Sequence, residues 1–67
     1  MISYEPFHKL LKERNLVISD LRNNPLHPVT IAKINRNESI SLTKIEEICK
    51  RFNVKIQDVV EIINEDK

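Results

Sequence analysis

Not one glycine occurs among the 67 residues of the chain. Glycine enters left-handed backbone at no steric cost and lets a chain pass close to a phosphate. Its absence excludes P-loops and dinucleotide-binding fingerprints, whose geometry depends on it. Each helix end that needs left-handed backbone must use another residue, and asparagine is the commonest substitute. Asn15, Asn37 and Asn53 each follow a helical pattern, and all three are read as helix closers. Length then limits the rest: residues 1–67 form one small domain with a thin core, burying about 60% of the surface its unfolded chain exposes. Leu, Ile, Val and Phe make up roughly a third of the sequence, well above the ~20% level of disordered chains.

Apolar spacing divides the chain into short amphipathic segments. Phe7, Leu10 and Leu11 keep the i, i+3, i+4 spacing of a helix face. Pro6 suits the first turn of that helix, which ends near Arg14. Ile18, Leu21 and Arg22 suggest a second, short helix limited by Pro25. Pro28 opens a third, with Ile31 and Ile34 as its apolar stripe and Asn37 as its closer. Ser41 is a strong N-cap, followed by Ile45, Ile48, Cys49 and Phe52 on one face. Ile56, Val59 and Val60 predict a last turn or two of helix. Ile2-Ser3-Tyr4 and Glu61-Ile62-Ile63-Asn64 form a candidate short β pair. The expected fold is all-α, a compact bundle of about five short helices around a central helix-turn-helix.

The formal net charge of +1 hides an asymmetry. Residues 8–37 hold six basic side chains against two acidic ones, whereas residues 38–67 hold five against seven. A polyanionic partner responds to that basic segment rather than to the total. Residues 18–37 have the layout of a helix-turn-helix, whose second helix enters the DNA major groove. With Ile31 and Ile34 inward, a helical wheel turns Val29, Ala32, Lys33 and Arg36 outward and puts Thr30 and Asn37 on a flank. Lys33 suits guanine acceptors or phosphate, and Val29 suits a thymine methyl. Thr30, Asn37 and the backbone N–H groups near His27, Pro28 and Val29 suit phosphate oxygens.

Thr30-Ile31-Ala32-Lys33-Ile34, Asn37-Glu38, Ile40-Ser41-Leu42, Ile45 and Ile48-Cys49 together resemble the Cro/repressor (XRE-type) helix-turn-helix class of bacterial and phage regulators. The ending Phe52-Asn53-Val54 with Ile56-Gln57-Asp58-Val59-Val60 is similar to the family's terminal pattern. The likeness spans roughly residues 7–63 and implies four or five helices, sequence-specific binding of double-stranded operator DNA, and a homodimer. It implies DNA contacts at Pro28, Val29, Thr30, Lys33 and Arg36, with Asn37 in the loop after the helix; His27 joins them as the residue at the helix start. Three positions depart from the pattern. Val17 and Ile18 stand where the family has a hydroxyl cap and a polar phosphate-binding residue. The turn between the two helices is one residue shorter, with Pro25 where glycine is usual. Pro28 and Val29 carry no side-chain donor, which shifts specificity towards Lys33, Arg36 and DNA shape.

Other chemistry finds little footing. His8, His27 and Cys49 match no zinc spacing and no nucleophile–base set, so no catalytic residue, metal or cofactor is expected. Cys49 lies on an apolar stripe and reads as core. No segment is long enough to span a bilayer, and no signal peptide opens the chain; a cytoplasmic protein without a membrane partner is expected. The alternative to a DNA-binding regulator is a protein-interaction module on the same scaffold, such as an antitoxin or a mobile-element accessory protein. The apolar residues Val17, Ile18 and Val29 motivate that alternative.

Overall fold

The computed structural model describes residues 1–22 and 26–64, so Pro25 lies outside the described residues. Three α-helices carry the fold: α1 (Glu5–Glu13), α2 (Pro28–Asn35) and α3 (Leu42–Phe52). Two further segments expected as helices, Ile18–Leu21 and Ile56–Asp58, are single 3₁₀ turns instead. The expectation of about five helices is therefore corrected to three.

A shared local device explains the short turns. The Asp20 carboxylate accepts the Val17 backbone N–H at 3.0 Å, and the Asp58 carboxylate accepts that of Lys55 at 3.2 Å. In both, the Asp backbone N–H returns to the carbonyl of the same capped residue, at 2.9 Å. Each carboxylate closes one tight turn, and the chain leaves it at once: Arg22 already has extended backbone, with ψ of 126°. Short tight turns of this kind rarely propagate.

The helix ends follow the sequence signals. Asn15, Asn37 and Asn53 have φ of 59°, 57° and 57°, and among the described residues no other has positive φ. The Ser41 hydroxyl accepts the Lys44 N–H at 3.2 Å and starts α3. Pro6 occupies the first turn of α1, where a missing donor costs nothing.

The core joins these elements through Tyr4, Phe7, Leu11, Leu21, Leu26, Ile34, Ile45, Ile48, Phe52 and Val59, all buried. Cys49 is half-buried against this cluster, as expected of a packing residue. The Phe7 and Phe52 rings meet edge-on at 5.9 Å and 71°, an arrangement that contributes ~0.5–1.5 kcal/mol beyond its burial. Arg14 bridges the ends of α1 and α3: its guanidinium donates to the Phe52 carbonyl at 2.9 Å and lies 5.4 Å from the Phe52 ring centroid. A cation there also complements the negative end of the α3 dipole.

The expected β pair is present. Strand β1 (Ile2–Ser3) runs antiparallel to β2 (Glu61–Ile62), in the register Ile2↔Ile62 and Ser3↔Glu61. Two such residues hold little by themselves. The N-terminal ammonium extends the ribbon by donating to the Ile63 carbonyl at 2.9 Å, and the Ile63 N–H returns to Met1 at 2.7 Å. No helix among the described residues is long and apolar enough to cross a membrane.

Candidate nucleic-acid interface

Helix α2 and the 3₁₀ turn before it form the helix-turn-helix unit. His27 caps α2, its Nδ1 accepting the Val29 N–H at 3.2 Å. Pro28 takes the first helical position, where its fixed φ suits the turn. The turn itself is tied by Leu21 and Leu26, both buried, with the Leu26 N–H on the Leu21 carbonyl at 3.0 Å.

The buried stripe of α2 differs from the one read off the wheel. Thr30 and Ile34, one turn apart, face the core, while Ile31 is half-buried. The helix is thus rotated about its axis towards Thr30. Thr30, expected to touch phosphate from a flank, is only 9% exposed, which takes its side chain out of the surface. Lys33 is half-buried by the same rotation, and Val29, Asn35 and Arg36 are exposed.

The sequence-predicted contacts otherwise gather along one side of α2 and its two ends. Pro28 and Val29 stand at the N-terminal end beside His27. Lys33 lies on the shaft, and Arg36 caps the C-terminal end. Arg36 Nε is 3.1 Å from a Glu38 carboxylate oxygen. Both side chains are well exposed, so the pair is weak and yields readily to a phosphate. Asn37 is already occupied in part: its Oδ1 accepts the Tyr4 backbone N–H at 3.1 Å.

Two residues absent from the sequence-based set complete the surface. Ser19 and Arg22 border a groove of about 250 Å³ whose other wall is Pro28, Ile31, Ala32 and Asn35 of α2. Arg22 is exposed, and its side chain forms no ion pair or hydrogen bond among the described residues. Its membership in the basic segment was a signal, but its place beside α2 depends on the 3₁₀ turn ending at Leu21. The basic segment also divides. Arg14 is spent on Phe52, and Lys9 lines a separate groove with Glu5, Glu13, Asp58 and Glu61. Positive charge at the helix-turn-helix therefore comes from Arg22, Lys33 and Arg36.

The family model for Cro/C1-type HTH DNA-binding domains matches residues 7–65, nearly the whole chain. The chain belongs to that family. Its backbone also superposes on a crystal structure of the transcriptional regulator VanUg with a TM-score of 0.87 and 34% sequence identity, over 96% of this chain and 87% of that one. Among curated proteins, none matches the sequence. For a Cro/C1-type domain, the helix-turn-helix placed by Leu21, Leu26 and Ile34 is the DNA-binding unit.

Proposed function

We propose that this Cro/C1-type domain is a transcriptional regulator that binds operator DNA through the outer face of α2. The observation carrying this reading is the outer edge of a helix-turn-helix helix, with exposed Val29 and Arg36 and half-buried Lys33 on it and exposed Arg22 beside it. Lys33, Arg22 and Arg36 neutralise phosphates, and Asn37 Nδ2 supplies a neutral phosphate donor. Similarity to the regulator VanUg supports the same reading.

The working form in this proposal is a homodimer on a palindromic site, with two α2 helices one DNA turn apart, roughly 34–36 Å. Gel shifts on the DNA upstream of its own gene, over a salt series, test the function. Retarded duplex at low salt, weakening steeply as salt rises, is expected. No retardation at any salt rejects the reading and leaves the protein-interaction module. Sedimentation of the protein with and without duplex tests the dimer.

A further inference from the structure

The N-terminal part of the sector of α2 that faces outward is apolar where a reader of base edges is normally polar. Val29 is 56% exposed, with Pro28 and Ala32 half-buried beside it. At 100° per residue, Pro28, Ala32, Arg36 and Val29 fall within a sector of about 100°, centred opposite Ile34. None of Pro28, Val29 and Ala32 has a side-chain donor or acceptor. Asn35, at the far end of the helix, lines the groove with Ser19 and Arg22, and Pro28 and Ala32 line the same groove from the edge of this sector. The cations stand around it: Arg22 across the groove, Lys33 and Arg36 further along α2.

An apolar sector set against a major-groove floor leaves polar base edges unpaired unless it meets the one apolar group there, the C5-methyl of a pyrimidine. The surrounding cations match the two phosphate backbones that border such a groove. Resting on the DNA-binding reading above, we propose that α2 selects its operator by C5-methyl groups packed against Val29, Pro28 and Ala32. Arg22, Lys33 and Arg36 hold the flanking phosphates. Thymine and 5-methylcytosine both carry the required group; unmethylated cytosine and uracil do not.

The test takes the full chain and a pool of random duplexes, enriches the bound sequences, and measures affinity for the best duplex by fluorescence anisotropy. Each thymine is then replaced singly by deoxyuridine, which removes the methyl and keeps the pairing. At one or more positions the replacement weakens binding about fourfold, the equivalent of ~0.8 kcal/mol for one buried methyl. In Val29→Ala, whose fold is checked by circular dichroism, that ratio falls below twofold. Placing 5-methylcytosine instead of cytosine at the same position separates the two sources. A matching gain makes either methylated base a ligand, and its absence beside an intact thymine effect assigns the contact to thymine. Uracil tolerated at every position, or a thymine preference unchanged in Val29→Ala, overturns the proposal. Enrichment of no duplex at all overturns the DNA-binding reading beneath it.

Discussion

Replacing Asn37 with alanine removes two interactions at once, and a matched set of variants separates them. Asn37 holds φ of 57°, and its Oδ1 accepts the backbone N–H of Tyr4, a residue only 1% exposed. Asn53 holds the same φ at the end of α3 but makes no side-chain hydrogen bond among the described residues. Alanine at a left-handed position costs about 1 kcal/mol. Leaving a buried donor unpaired costs a further ~1–3 kcal/mol. Asn37→Ala should then lose ~2–4 kcal/mol and Asn53→Ala about 1 kcal/mol. Glycine restores the backbone without the carboxamide. Asn53→Gly is expected near neutral, and Asn37→Gly still loses ~1–3 kcal/mol.

A domain of this size holds on the order of 3–10 kcal/mol in total. Asn37→Ala therefore removes a large part of its stability. Urea denaturation followed by circular dichroism reads the result. At a slope of ~1 kcal/mol per molar urea, each kcal/mol moves the midpoint by about 1 M. If Asn37→Gly is as stable as Asn53→Gly, the Tyr4–Asn37 bond contributes nothing and the reasoning fails. The comparison also bears on function: DNA affinity of Asn37→Ala, corrected for the folded fraction, separates weaker phosphate binding from unfolding.

Three further outcomes are expected. Lys33→Ala and Arg36→Ala should fold normally and bind DNA more weakly, with the slope of log affinity against log salt reduced by about 0.9 for each phosphate that is no longer neutralised; unchanged slopes in both remove this face from the interface. Burial pushes the Tyr4 hydroxyl above the ordinary tyrosine value, and the Ile40 backbone partly opposes it. The folded state thus holds that proton more tightly than the unfolded one. The Tyr4 contribution to stability should be fully present below pH ~10 and be lost as pH rises through the raised value. Tyr4→Phe, which also removes the 2.7 Å bond to the Glu38 carbonyl, should flatten that alkaline decline. Burial and then the Asp58 charge raise the Cys49 thiol, so alkylation by iodoacetamide near pH 8 should be slower than for free cysteine and should accelerate in denaturant.

Caps and closers were the most legible features because they depend on single residues and local backbone. Asn15, Asn37, Asn53 and Ser41 needed no knowledge of their neighbours. The rotation of α2 was not legible. In an eight-residue helix two isoleucines leave the angle free by tens of degrees, and packing turned the buried side towards Thr30, one turn before Ile34. Arg14 was equally opaque, since its partner, the Phe52 carbonyl, lies 38 residues away. The two 3₁₀ turns were legible only in retrospect, through an aspartate three residues after the capped N–H in each.

That last device changes the meaning of the family departure at Val17 and Ile18. In the family pattern the hydroxyl cap falls at Val17 and the polar phosphate-binding residue at Ile18. Here the Asp20 carboxylate holds the turn by accepting the Val17 N–H at 3.0 Å, the reciprocal of the bond a hydroxyl at Val17 would accept, and Val17 is left 60% exposed with no polar group. The fold is retained while a phosphate donor is missing from the start of the helix-turn-helix. Asp20 cannot replace that donor, because its carboxylate repels phosphate. Binding free energy must then come from the other end of the turn and from α2, where Arg22, Lys33 and Arg36 stand. Substituting Arg22 should consequently weaken DNA binding more than placing a polar donor at Ile18 strengthens it. Gel shifts of Arg22→Ala and Ile18→Gln check this ordering, and the reverse order would return the phosphate contact to the family position.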